Sequence, residues 1–191
     1  MIQDGPPLTL SSQQAANNIN DAIPIDEPPS HYGNPETYRV LGHTYHVLKQ
    51  ADTFSQQGLA SWYGRKFDGQ LTSTREPYNM MAMTAAHREL PIPCYVRVTN
   101  QTNHKTVVVR VNDRGPFHPE RIIDLSYAAA RKLGMLEHGT ANVLIERVHG
   151  QKVNQSIAYS PRYALQLGAF ATRQGANKIQ TQLNRLALGA H

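Results

Sequence analysis

The chain has 191 residues, 40% of them hydrophobic, and carries 19 Lys and Arg against 14 Asp and Glu, for a net charge of +5. That length holds one compact domain plus tails or a small second module, and the basic balance suits an anionic partner. No run of five or more Lys/Arg and no zinc-finger spacing speaks for nucleic acid, no stretch approaches the ~18–20 apolar residues of a membrane span, and the single cysteine, Cys94, excludes an intrachain disulfide.

The N-terminus opens Met1-Ile2-Gln3-Asp4-Gly5, with neither the basic n-region nor the apolar h-region of a secretory signal. Either the protein is cytoplasmic or an export signal has been removed. Residues 1–34 are rich in Pro, Asn, Gln, Ser and Asp, as in Pro6-Pro7 and Pro28-Pro29-Ser30, and read as a flexible tether. Residues 37–49 read as a short hairpin turning at Gly42.

The main domain is expected to span residues 35–150. Leu59–Tyr63 reads as a strand and Gly64–Thr74 as a polar loop. Met83–Ala86 is a second strand, ending at His87, and Tyr95–Val98 alternates as a half-buried third. A turn over Asn100–Lys105 leads to the strand Thr106–Val111, and Ile122-Ile123 makes another short one. Ser126 suits the N-cap of a helix over Tyr127–Leu133, with Gly134 in the position after its end. Ala141–Val148 is the last strand. Six short strands and one short helix with long connections predict a mainly β fold, a small closed barrel rather than a βαβ sheet.

Residues 151–160 read as a linker. Tyr163–Phe170 then alternates as a strand, and residues 173–188 form an amphipathic helix with Ala176, Ile179, Leu183 and Leu186 on one face. One strand and one helix bury too little for a domain, so 161–191 reads as the first part of an α+β module.

Asp113-Arg114-Gly115-Pro116-Phe117 is the segment where chemistry is expected. A strand ending in Asn112-Asp113 and turning through Gly115-Pro116 holds a carboxylate at the rim of the fold, where catalytic groups tend to sit. Asp at such a place also serves as a plain turn former. Glu76, His87 and Asp124 in the same stretch of sequence add weight to the chemical reading. Trp62 suits core packing first and stacking on a sugar face second, while Tyr63 suits either. His43 and His46 stand three apart in a hairpin, a spacing that is usually incidental. No metal and no organic cofactor is expected, and Cys94 reads as structural.

Gly58-x-Ala60-Ser61-Trp62-Tyr63-Gly64, Thr72 to Asn79, Thr84-Ala85-Ala86-His87, Val107 to Phe117, and Arg121-Ile122-Ile123-Asp124-Leu125-Ser126 resemble the rare lipoprotein A family. The resemblance covers about residues 37–148. It implies a six-stranded double-psi β-barrel, a fold shared with expansins and certain barrel endoglucanases. It also implies a lytic transglycosylase, a lyase that cleaves the MurNAc–GlcNAc bond of peptidoglycan without water and leaves 1,6-anhydro-MurNAc ends. The substrate implied is glycan strands lacking stem peptides, the place the division septum at the periplasmic face of the outer membrane, and the state a monomer. A membrane would be met only through a lipid anchor on a cysteine this chain lacks. The tail from Tyr163 resembles the start of a sporulation-related (SPOR) repeat, so the chain reads as a fragment of a longer lipoprotein.

The family's functional triad falls on Glu76, His87 and Asp113. Asp113 is the first candidate for the acid that protonates the leaving oxygen. Arg114 beside it opposes that role, because a neighbouring cation favours the charged carboxylate. Asp124 is the alternative, since its Asp-Leu-Ser setting resembles that of the acid in expansins and barrel endoglucanases. Tyr63, Trp62, Arg114, Tyr78 and Thr72 are the candidate substrate contacts. Where the family often has Gly before the glutamate, this chain has Arg75. A catalytically silent peptidoglycan-binding protein and a glycan hydrolase are the rival readings.

Overall fold

A computed structural model describes residues 4–9 and 19–150. The expected linker at 151–160 and the SPOR-like piece at 161–191 lie outside the described residues.

Two strands, β1 (Thr37–Val40) and β2 (His43–His46), form the expected hairpin, pairing Thr37 with His46 and Val40 with His43. Six more strands follow: β3 (Ser55–Tyr63), β4 (Thr84–His87), β5 (Cys94–Asn100), β6 (Thr106–Asp113), β7 (Arg121–Ser126) and β8 (Ala141–Val148). They close into a barrel in the order β3-β7-β4-β6-β5-β8, with β3/β7 and β4/β6 parallel and the rest antiparallel. This is the six-stranded double-psi barrel, and closure leaves no free sheet edge.

The valines explain why β5 and β6 form where they do. Val107, Val109 and Val111 alternate with more exposed residues along β6, and Val96 and Val98 do so on β5. All five are fully buried, each stabilising the fold by roughly 1.5–3 kcal/mol relative to an exposed side chain. Ile123, Leu125, Val143 and Ile145 complete the barrel interior.

The one helix in the barrel, α1 (Tyr127–Lys132), starts where Ser126 predicts. The Ser126 hydroxyl accepts from the Ala129 N–H at 3.2 Å and donates to the Ala82 carbonyl at 2.6 Å. Gly134 ends the helix at φ +73°, a conformation that favours glycine.

Four strands run further than expected, β3 and β7 by the most. β3 begins at Ser55, four residues early, because the polar run Ser55-Gln56-Gln57 pairs with Glu146, Ile145 and Leu144 of β8. β7 takes in Asp124 and Ser126 because it is paired on both sides, with β3 and β4. In both cases pairing overrides side-chain polarity.

Residues 19–34, expected as part of the tether, are held to the barrel. Ala22 N–H donates to the Val108 carbonyl at 3.0 Å and Ser30 N–H to the Ile92 carbonyl at 2.9 Å. Glu27 accepts two hydrogen bonds of 2.8 Å from Arg110 and one from the Tyr95 hydroxyl. A proline-rich segment forms no ladder of its own, so single polar anchors hold it instead.

Candidate active site

Asp113 is the last residue of β6, at the rim where the sequence placed it. Its Oδ1 accepts three hydrogen bonds: from the Ser73 N–H at 2.8 Å, the Ser73 hydroxyl at 2.7 Å and the Arg114 N–H at 2.8 Å. The carboxylate orientation is therefore fixed by one oxygen while Oδ2 is held by no hydrogen bond among the described residues.

Asp124 sits on the far side of β4. Asp113 and Asp124 are both paired with Ala86, one from β6 and the other from β7. Two strand spacings of about 4.8 Å put their α-carbons about 10 Å apart, and residues in register across a sheet project from the same face. Both carboxylates accordingly line one cleft of about 490 Å³, with Trp62, Tyr63, Phe117 and Arg121 on its walls and Ala86 between them. Ala86 contributes only a methyl group, so the space between the carboxylates stays open.

Asp124 differs from Asp113 in its surroundings. Burial pushes its carboxyl above the usual carboxylate range, against the lowering pull of a hydrogen bond from Ser61 and the charges of Arg121 and Arg88. The Ser61 hydroxyl donates to Asp124 Oδ1 and accepts from Arg121 at 2.6 Å, while the Arg121 guanidinium itself stands 3.7 Å from that oxygen.

The expected triad is not a hydrogen-bonded cluster. Glu76 is clamped by Arg110 at 2.7 and 3.0 Å and by Asn112 at 2.9 Å. Burial alone would raise its carboxyl, but these bonds outweigh burial and hold it below the usual range. Arg110 also holds Glu27, so one guanidinium ties the 70s loop and the N-terminal segment to β6. Glu76 acts on Asp113 through the chain, because the turn it closes carries Ser73.

His87 is 2% exposed and does not reach the cleft. Its Nδ1 accepts from the Glu89 and Leu90 N–H groups, both at 3.1 Å, so Nε2 carries the proton and faces Gln56 Oε1 at 3.1 Å. Burial, helped by the charges of Arg88 and Arg114, lowers its pKa to about 3. It is a neutral structural histidine, placed to shape the 88–90 turn.

Arg114 turns away from Asp113. Its guanidinium donates to the carbonyls of Gly33, His87, Arg88 and Leu90 and to Asn34 Oδ1, so it is spent on the scaffold.

Tyr78 lies under Tyr63, ring on ring at 4.1 Å, and donates to the Tyr63 carbonyl at 2.6 Å. At 4% exposure it supports the cleft wall and does not contact its contents. Thr72 is likewise buried, bonded to Thr74 at 3.0 Å. Of the five candidate substrate contacts, Trp62, Tyr63 and Arg114 line the cleft, Arg114 with its guanidinium bound to the scaffold. Trp62 also packs edge-on against Tyr127 at 5.7 Å.

Arg75 adopts a backbone conformation that favours glycine. Its φ is +66°, a left-handed conformation costing roughly 1–2 kcal/mol for a non-glycine residue. The Thr72 N–H still bonds to the Glu76 carbonyl at 2.9 Å, and the Arg75 guanidinium lies 4.2 Å over the Tyr32 ring.

Ser61, Arg121, Ser73 and Ala86 are the site residues that sequence reasoning passed over. Ser61 stood two residues before Tyr63 on an alternating strand, and that shared face was the available signal. Nothing local marked Ala86 or Ser73, whose importance comes from pairing.

The sequence matches the lytic transglycolase family over residues 55–145. It is 53% identical over 149 residues to an endolytic peptidoglycan transglycosylase RlpA of Vibrio cholerae, covering 78% of this chain and 56% of that protein. It is 54% identical over 130 residues to the protein of that name from Pseudomonas aeruginosa, covering 68% and 38%. It is 49% identical over 158 residues to the one from Neisseria meningitidis, covering 82% and 64%. This chain thus spans between about a third and two thirds of these relatives. Among solved structures, the Streptomyces papain inhibitor aligns at 23% identity and TM-score 0.42, over 50% of this chain and 96% of that one. An expansin of Clavibacter michiganensis aligns at 20% and 0.40, over 51% and 52%.

Proposed function

The chain belongs to the RlpA family, and on that premise we propose that it is an endolytic peptidoglycan lytic transglycosylase of the bacterial cell envelope. The observation that carries this reading is the pair Asp113 and Asp124, set on either side of Ala86 in one open cleft.

The two environments divide the labour. Asp124, whose carboxyl burial raises, supplies the proton to the glycosidic oxygen. The C1–O4 bond breaks with its electron pair going to that oxygen. The sugar's own 6-hydroxyl then attacks C1, closing a C1–O6 bond, and its proton passes to the Asp113 carboxylate. Asp113, oriented by Ser73, also faces the oxocarbenium-like charge that develops at C1. The products are a 1,6-anhydro-MurNAc end and a GlcNAc end with a free 4-hydroxyl. Exchange with solvent returns the proton to Asp124. Trp62 and Tyr63 supply ring faces for the sugars.

Glycan strands without stem peptides are the proposed substrate, with action at the septum, the periplasmic face of the outer membrane as the location and a lipid anchor as the means of attachment. Open access at the cleft, with no wall of side chains between the carboxylates, supports attack within a strand.

The same carboxylate pair favours one rival, hydrolysis, because about 10 Å between α-carbons leaves room for a water between carboxyls. Digestion of denuded glycan strands in heavy-oxygen water, read by mass spectrometry, separates the two. A transglycosylase gives anhydro ends without label. A hydrolase gives reducing ends that carry one heavy oxygen, which would overturn the proposal. Binding without any product would leave a silent glycan-binding barrel.

A further inference from the structure

We infer that Arg121 and Ser61 form a one-way hydrogen-bond relay that keeps Oδ1 of Asp124 as an acceptor and so fixes the transferable proton on Oδ2. The inference rests on the reading of Asp124 as the acid.

The direction follows from which groups can donate. A guanidinium has no acceptor, so in the 2.6 Å contact between them Arg121 donates and the Ser61 oxygen accepts. Ser61 is 4% exposed, and the only acceptor its hydroxyl meets among the described residues is Asp124 Oδ1. A buried hydroxyl does not leave its proton unused beside a carboxyl oxygen. Oδ1 therefore receives a hydrogen bond in either protonation state, and a proton on the carboxyl goes to Oδ2. Register makes this durable, since Ser61 and Asp124 are direct partners across β3 and β7.

Ser61 also works as a spacer. By taking the guanidinium's hydrogen bond, it holds Arg121 at 3.7 Å from the carboxylate instead of at direct ion-pair contact. Direct contact would favour the ionised form and remove the acid. The other charged or titratable groups around Asp124 are Tyr63 from β3, Arg88 just beyond β4, Asp113 at the end of β6, and Asp4, Arg114 and His118 along the cleft. None of them hydrogen-bonds to Asp124 among the described residues.

Ser61 and Arg121 are positioning residues, and the test reads the carboxyl itself. Carbon NMR of the Asp124 carboxyl, titrated in wild type and three variants, gives its midpoint whether or not the protein turns over glycan. Arg121→Met is expected to raise the midpoint by about one pH unit, since an opposite charge within about 4 Å is withdrawn. Ser61→Ala withdraws one lowering hydrogen bond but lets the guanidinium close to a direct, hydrogen-bonded ion pair with the carboxylate, and because that pair outweighs the lost bond the midpoint is expected to fall. Ser61→Thr, which keeps the hydroxyl, is expected to retain the wild-type midpoint. In anhydro-product assays Ser61→Ala should lose at least about tenfold in kcat with KM within about twofold. The alkaline limb of its pH profile should move with the NMR midpoint. Unchanged midpoints in Arg121→Met and Ser61→Ala, with both variants folded by thermal melting, would overturn the relay. Shifted midpoints in a wild type that makes no anhydro product would instead overturn the assignment of Asp124 as acid and leave the relay standing.

Discussion

His87 shows how a side chain can matter to a site without touching substrate. Its neutral ring accepts two backbone N–H groups and thereby shapes the turn that the Arg114 guanidinium grips. Because its folded pKa, about 3, lies below the ordinary 6.5, the folded protein refuses a proton that the unfolded chain accepts. The stability this contributes is complete above about pH 6.5 and drains as pH falls toward 3, at up to about 1.4 kcal/mol per pH unit. Glu76 and Glu27, also held below their ordinary values, add the same sign only nearer pH 4.5 and below. His87→Gln should therefore be less stable than wild type at pH 7 and should lose less on going from pH 7 to pH 5. Urea unfolding at the two pH values checks this, and equal losses in both proteins would remove the buried neutral histidine from the account.

At the scale of elements, Arg110 on β6 is the knot between three pieces of chain. It binds Glu27 from the N-terminal segment and Glu76 from the loop before β4, with side chains 20% to 42% exposed. Arg110→Met leaves two carboxylates near each other without their cation. For pairs this exposed the loss is expected at about 2 kcal/mol, less than the 3–5 kcal/mol of a fully buried pair. Limited proteolysis should then cut within 19–34 several times faster than in wild type, while a rate matching wild type would mean that Glu27 does not anchor the segment. The sequence showed the ends of the helix well and these links poorly. Ser126 and Gly134 mark the helix because a cap acts within one turn. Glu27 and Arg110 are 83 residues apart, and composition alone made residues 19–34 resemble a free tether.

At the scale of the molecule, the barrel was legible because alternation on β5 and a series of six short strands with long connections and one short helix leave little choice of class. The centre of the site was half legible. Asp113 was marked by its turn and Asp124 by its motif, but their relation was not, since only the closed order β7-β4-β6 sets both against Ala86. The triad of Glu76, His87 and Asp113 was implied by the family resemblance, whereas in space Glu76 is bound to Arg110 and Asn112 and His87 is buried away from the cleft. The central claim is thus that Asp113 and Asp124 are the working pair, and the most direct measurement is the yield of anhydro ends from denuded glycan strands with wild type, Asp113→Asn and Asp124→Asn, each with its glycan binding measured alongside. Wild type is expected to release anhydro ends and each variant to lose at least about a hundredfold, with binding kept. Undiminished anhydro product from Asp124→Asn would contradict that claim and return the acid to Asp113.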